Sequence, residues 1–262
     1  LSHYQALFLD IDGTIIKPDH TYDSSTKEAI FQVQEKGIEV FLATGRPLHE
    51  IRELGRELNV HSFIGYNGAF ALYQDRVVVQ EPMEVGAVTH FLEIAKEHNH
   101  DLVLYTSEKN YLTSLDKPVV QDVIEIFQLR QNELYTDKVA DQILGGTLIN
   151  LAEEEQALYQ FDQSYRLSQV NVEALLHCYD IIRESVNKGS AVQKVIEVMG
   201  ITLENVIAFG DGLNDKEMLS IAGESFAMGN ANPQVFTYAK HKTTSVQDSG
   251  IFNGLKSLGL VK

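Results

Sequence analysis

Ala6-Leu7-Phe8-Leu9 is a continuous apolar run that stops abruptly at Asp10-Ile11-Asp12-Gly13-Thr14. A run that ends in turn chemistry without alternating reads as a strand buried on both faces, the kind found in parallel sheets. Open α/β sheets place their ligands at the carboxyl ends of such strands. Two carboxylates two residues apart at that edge are not core packing, because a lone buried charge costs several kcal/mol unless it is paired or metal-bound. Together they point to a hard cation and a reacting group held between them. Asp-Gly-Thr is also ordinary turn chemistry, in which case the residues only shape a loop and a helix start. The rest of the chain separates the two readings.

The first third alternates strand and helix. Ser24 or Ser25 can cap a helix over 24–36, with Ala29, Ile30 and Val33 on its apolar face and Gly37 as its stop. Residues 38–43 read as a second buried strand, 48–58 as a helix entered through Thr44-Gly45-Arg46-Pro47, and Phe63-Ile64 as a third strand ended by Tyr66-Asn67-Gly68. This succession is the signature of a doubly wound parallel sheet.

From 69–79 the pattern alternates like an antiparallel hairpin, and Glu81-Pro82 breaks it. Helices are then expected over 85–98, 118–127 and 153–165, and strands over 102–106 and 147–151, with strand-like or mixed segments over 170–183. After Lys188 the first pattern resumes: helix 189–198, strand 206–209, helix 216–221, strand 226–228, and helices over 233–240 and 251–258. The expected fold is therefore α/β, one doubly wound parallel-sheet core built from both chain ends. The expected boundaries are 1–81 and 186–262 for the core and 82–185 for an inserted α+β domain.

With 21 Lys and Arg against 37 Asp and Glu, the net charge is −16. That balance disfavours nucleic acid, whose backbone is gripped by Lys and Arg. An anionic substrate would need a metal or basic groups placed locally. The single cysteine, Cys178, cannot form an internal disulfide, fits a reducing compartment, and reads as a small buried apolar residue rather than a reactive thiol. No apolar stretch is long enough to span a bilayer, and the N-terminal residues lack a signal-peptide pattern, so a cytoplasmic protein without membrane partners is expected.

Four strand or helix boundaries carry polar groups suited to one job. Asp10 and Asp12 end the first strand. Thr44-Gly45 ends the second, offering a hydroxyl and a backbone N–H at a helix start, which is an anion site. Lys188, between Asn187 and Gly189, sits where a cation opposes the helix dipole and so needs an anion beside it. Gly210-Asp211-Gly212-Leu213-Asn214-Asp215 ends another strand. Phosphoryl transfer needs an in-line nucleophile, a divalent cation bridging carboxylates and phosphate, and donors around the equatorial oxygens. A carboxylate serves as nucleophile by forming an aspartyl-phosphate, and a second acts as general acid and base. Asp10 and Asp211 supply the oxygen ligands Mg²⁺ prefers, and Thr44, Lys188 and Asn214 hold phosphate.

The strings DIDGT, ATGRP, VNKG and GDGLND, in this order, resemble the haloacid dehalogenase superfamily, and most closely its Cof-type phosphatases. That resemblance implies a Rossmann-like core with a large cap inserted between the second and third motifs. It implies that Asp10 is nucleophile and metal ligand, and that Asp12 is the general acid/base and gives its backbone carbonyl to Mg²⁺. Asp211 is then the third protein ligand, with Asp215 supporting it. Phosphate falls to Thr44, Gly45, Lys188, Asn214 and the backbone N–H of Ile11. The stretch Arg183-Glu184-Ser185-Val186-Asn187 lacks the proline many members carry there.

The reading is Mg²⁺-dependent hydrolysis of small phosphomonoesters, of a sugar or a cofactor, with the cap excluding water and setting leaving-group choice. A phosphomutase uses the same parts and differs only in its acceptor. A receiver-like signalling module shares Asp, Thr, Lys and Mg²⁺ but needs neither Asp12 nor a long insertion. Arg46 reads equally as a substrate or structural contact and as a surface ion pair, and Asn67-Gly68 as a turn or a substrate-facing pair. His98-Asn99-His100 reads as a solvated helix end rather than a metal pair, and Glu153-Glu154-Glu155 as helix-opening charge. The sequence carries no signal of oligomeric state.

Overall fold

The computed structural model describes residues 3–170 and 172–262. Leu1, Ser2 and Asn171, which fall in stretches expected above as core and as strand, lie outside it. In chain order the first elements are β1 (Ala6–Leu9), α1 (Ser24–Glu35), β2 (Glu39–Ala43), α2 (Leu48–Glu57), β3 (Ser62–Gly65), β4 (Phe70–Tyr73) and β5 (Arg76–Gln80). Then come α3 (Val85–His98), β6 (Asp101–Tyr105), β7 (Asn110–Leu112), α4 (Pro118–Ile126), β8 (Asn132–Leu134), β9 (Gly145–Ile149), β10 (Tyr165–Gln169) and β11 (Tyr179–Arg183). The last are α5 (Lys188–Met199), β12 (Val206–Gly210), α6 (Lys216–Ile221), β13 (Glu224–Ala227), β14 (His241–Lys242) and α7 (Gly250–Ser257). The chain divides into two units: Leu1–Arg46 with Ile51–Val79 and Asn187–Lys262, and Pro47–Glu50 with Gln80–Val186.

The first unit is built on the sheet β14-β13-β12-β1-β2-β3-β4-β5. Pairing is parallel from β14 through β3 and turns antiparallel at β4. The chain winds outward from β1 through β2 and β3 on one side, then returns beside β1 at β12 and winds the other way. The gap between β1 and β12 is thus the point where strand order reverses, the place such sheets bind ligands. All four β1 residues are fully buried, and Phe8 stacks on Phe41 of β2 with centroids 4.5 Å apart. Burying Phe8 or Leu9 in this way is worth about 1.5–3 kcal/mol each, which pins the strand that carries Asp10.

The second unit holds the sheet β10-β11-β9-β6-β7-β8, antiparallel except for β7 with β8. Its two faces are covered separately. Phe91, Leu102, Leu104, Leu148 and Tyr179 form one cluster, and Val103, Val123, Ile149, Leu175 and Cys178 the other. Cys178 is fully buried, and burial, then the charge of Asp180, push its thiol up to about 12. Iodoacetamide is therefore expected to leave the native protein unmodified at mildly alkaline pH and to alkylate it once in guanidinium. Rapid native labelling, read by mass spectrometry, would contradict the buried-thiol reading.

Several expected elements differ. The helix over 153–165 is only a 3-10 segment, Glu153–Tyr159. Asp162 Oδ1 accepts from the backbone N–H and hydroxyl of Ser164 at 2.7 and 2.5 Å, and this local turn sends the chain into β10. The helix over 233–240 is likewise reduced to Val235–Thr237, with Asn232 Oδ1 capturing the N–H of Gln234 at 3.0 Å. The cap of α1 is Asp23, not a serine; its carboxylate is taken by Lys17 Nζ at 2.8 Å, and Ser25 donates to Ser249. His100 is not solvated: it is 6% exposed, with Nδ1 2.8 Å from the Tyr159 hydroxyl and Nε2 3.2 Å from Glu155.

Candidate active site

The register that pairs Leu9 with Phe209 sends Asp10 and Asp211 off adjacent strand ends, with the Asp10 N–H on the Phe209 carbonyl at 3.1 Å. Lys188 comes from elsewhere. Asn187 caps α5 by accepting from the Ser190 N–H at 2.8 Å, so Lys188 is the first helical residue. Its side chain is fully buried and donates to Asp10 Oδ1 at 2.5 Å and Asp215 Oδ1 at 2.6 Å. This is the anion that a lysine at a helix start requires. The other Asp215 oxygen accepts from the N–H groups of Asp211 and Gly212, each at 3.0 Å, so Asp215 shapes the loop instead of facing outward.

One oxygen each from Asp10, Asp211 and Asp215 lies within 4.8 Å of the others. Three carboxylates against one ammonium leave two negative charges in a buried site. Burial, then the charge of Asp215, pushes Asp211 up to about 6 and holds Asp10 well above the usual carboxylate range. Burial would lower Lys188, but Asp10 and Asp215 outweigh it and keep the ammonium protonated beyond the usual lysine value. A divalent cation would remove the excess charge, and the donors are the hard oxygens such a cation prefers. Space fits as well. A Cβ on Gly13, whose φ is +87°, would lie 2.2 Å from Asp211 Oδ2, so only glycine admits that carboxylate.

The carboxylate of Asp12 turns away from this cluster. Arg46 grips it with both arms of its guanidinium, Nε on Oδ2 at 2.7 Å and the terminal nitrogen on Oδ1. Both side chains are substantially exposed, at 40% and 49%, so the pair is worth about 0–1 kcal/mol and breaks readily. Of the two readings left for Arg46 in the sequence, it is an ion pair, but with a partner inside the first motif. The Asp12 backbone carbonyl accepts no hydrogen bond among the described residues.

The remaining expected groups are neighbours by bonding. The Thr44 hydroxyl accepts from the Arg46 N–H at 3.0 Å, leaving its own proton free to donate. The N–H groups of Ile11 and Gly45 have no partner among the described residues. Asn214 donates to Asn67 Oδ1 at 3.1 Å. Two contributors had no role assigned from the sequence: Gly13, and Thr14, whose hydroxyl donates to Asp211 Oδ1 at 3.0 Å. Both lie inside DIDGT, but only the β1–β12 register shows what they touch. His98, His100 and Glu153 to Glu155 belong to the second unit and to none of this bonding.

A hard-cation site, a carboxylate held by a buried ammonium, and unpaired donors on one sheet edge can together bind and attack a phosphoryl group. The haloacid dehalogenase-like hydrolase model matches residues 7–255. The chain is 32% identical over 262 residues to YkrA of Bacillus subtilis strain 168, covering 98% of both. It is 28% identical to the 5-amino-6-(5-phospho-D-ribitylamino)uracil phosphatase YitU of the same organism, covering 95% of each. A solved structure from Geobacillus kaustophilus superimposes with a TM-score of 0.89 at 30% identity, over 98% of this chain and 100% of that one. With the motifs in place and the match running nearly end to end, the chain belongs to the haloacid dehalogenase-like hydrolases, as a phosphatase of the Cof type.

Proposed function

We propose that the protein hydrolyses small phosphomonoesters with Mg²⁺ and an aspartyl-phosphate formed on Asp10. In this reading residues 82–185 are the inserted cap domain between core segments 1–81 and 186–262. The observation that carries it is Lys188, fully buried and bonded to both Asp10 and Asp215 beside a third carboxylate. An ion pair so expensive to desolvate is poor design for stability alone, but it orients a nucleophile.

Asp10, Asp211 and the Asp12 carbonyl would hold Mg²⁺, which when bound neutralises phosphate charge and draws the substrate to the acids. The Ile11 and Gly45 N–H groups, the Thr44 hydroxyl, Asn214 and Lys188 bind the phosphoryl oxygens. Asp10 attacks phosphorus in line and its carboxylate oxygen becomes the acyl-phosphate oxygen. Asp12, released from Arg46 and protonated from solvent, gives that proton to the departing alkoxide as its bond to phosphorus breaks. It then takes a proton from water, which attacks the phosphoryl group and restores Asp10. The relative acting on a ribityl phosphate supports a small phosphorylated metabolite as substrate.

Phosphate release from a panel of phosphomonoesters, with Mg²⁺ or with EDTA, tests this. Release is expected with Mg²⁺ and at least a hundredfold less with EDTA, restored on adding Mg²⁺ back. Hydrolysis indifferent to EDTA overturns the metal assignment. A long-lived phosphoenzyme without free phosphate overturns the hydrolase reading.

A further inference from the structure

Tyr66-Asn67-Gly68 lies in none of the four motifs, yet it touches three of them. Tyr66 and Asn67 both have φ of +53°, and Gly68 has +106°. Two consecutive left-handed non-glycine residues also form the β4–β5 hairpin turn, Gln74 and Asp75, so it is what the turn over 66–68 touches that sets it apart. Those contacts are identifiable. The Tyr66 N–H donates to the Arg46 carbonyl at 3.3 Å, and the Asn67 N–H to the Thr44 carbonyl at 3.1 Å. A Cβ on Gly68 would sit 2.2 Å from the Asn187 carbonyl oxygen, so the turn closes on the residue before Lys188. The Asn67 side chain accepts from Asn214 at 3.1 Å.

That last bond decides the use of Asn67. Its oxygen is occupied by Asn214, which leaves the amide NH₂ as the spare donor, with no partner among the described residues. This NH₂ lies over Gly45, 3.1 Å from where a Cβ would stand. Gly45 also carries an unpaired N–H, and its neighbour Thr44 has a hydroxyl proton to give. Three neighbouring donors, with no acceptor among the described residues to satisfy them, describe an anion cradle.

We propose that Asn67 is a further substrate-binding residue, donating from Nδ2 to a non-bridging phosphoryl oxygen while its Oδ1 orients Asn214. The inference rests on the phosphoryl-transfer reading above and adds a donor to it. It also gives the strained turn a task, which is to hold Thr44, Asn187 and Asn214 in register around one anion.

Two variants separate the side chain from the backbone. Asn67→Gly keeps the positive φ without cost and deletes the amide. Asn67→Asp keeps shape, φ and the acceptor for Asn214, but replaces the donor with a negative charge. Hydrolysis of p-nitrophenyl phosphate and inhibition by inorganic phosphate, both with Mg²⁺, are measured for each and for wild type. Asn67→Gly is expected to raise KM and the phosphate inhibition constant together by about tenfold, the scale of one charge-assisted hydrogen bond. Asn67→Asp is expected to raise them further while melting near the wild-type temperature. A merely structural role would instead lower the melting temperature and leave the inhibition constant of the folded fraction unchanged, and that result overturns the proposal. If wild type hydrolyses the ester and Asn67→Asp binds phosphate as wild type does, Asn67 is not a ligand and the phosphatase reading stands. If wild type hydrolyses no phosphomonoester, both fall.

Discussion

Asp10→Asn is expected to lower kcat by about four to six orders of magnitude, the range seen when one member of a catalytic unit is removed. The change is isosteric and takes one charge out of a crowded acidic cluster. Lys188 keeps Asp215 as its partner at 2.6 Å, so the melting temperature is expected to hold. Steady-state phosphate release measures the effect. Mass spectrometry of rapidly quenched wild-type enzyme should show one added phosphoryl group that the variant lacks. A variant within tenfold of wild type would remove Asp10 from the mechanism and leave it a metal ligand at most.

Lys188→Met is expected to destabilise the protein strongly. The lysine is fully buried and is the cation bonded to Asp10 and Asp215. Deleting one member of a buried ion pair costs about 3–5 kcal/mol, because its partners remain desolvated and uncompensated. Urea unfolding at neutral pH, in EDTA, reads this directly, and a loss under about 1 kcal/mol would show that the cluster relaxes. The sign with pH is fixed by the direction of the shift. Asp10 and Asp215 raise the folded-state value of Lys188 above that of the unfolded chain. Its contribution is therefore complete below the unfolded value of about 10.4 and is lost only as pH rises through the folded one. Neutral pH lies well inside the stable window. Mg²⁺ should recover part of the loss, since a bound cation offsets the same carboxylates.

Short-range signals carried far in this chain. Strand β1 and the helix over 85–98 were legible because apolar runs, periodicity and turn residues are local properties. Strands β7 and β8 were not, since three residues each are too few to show alternation and exist only through their pairing. The helix over 153–165 failed for the opposite reason. Its charge and apolar spacing suit a helix, but Asp162 captures Ser164 and the chain turns. At the site, DIDGT, ATGRP, VNKG and GDGLND could be read as motifs, whereas the role of Thr14 on Asp211 could not.

What the sequence determined by itself is the chemistry on offer: acids at strand ends, a hydroxyl and N–H at a helix start, and a lysine opposing a dipole. The choice of partners was left to the tertiary structure. Asp12 and Asp10 stand two residues apart, yet one faces an exposed arginine and the other a buried lysine 178 positions away. Electrostatic energy in a low-dielectric site depends on distance and burial, not on separation along the chain. The pairing of Leu9 with Phe209 brings Asp10 beside Asp211 by aligning two strands whose residues carry no local sign of each other, and the capped start of α5 brings Lys188 to Asp10 and Asp215.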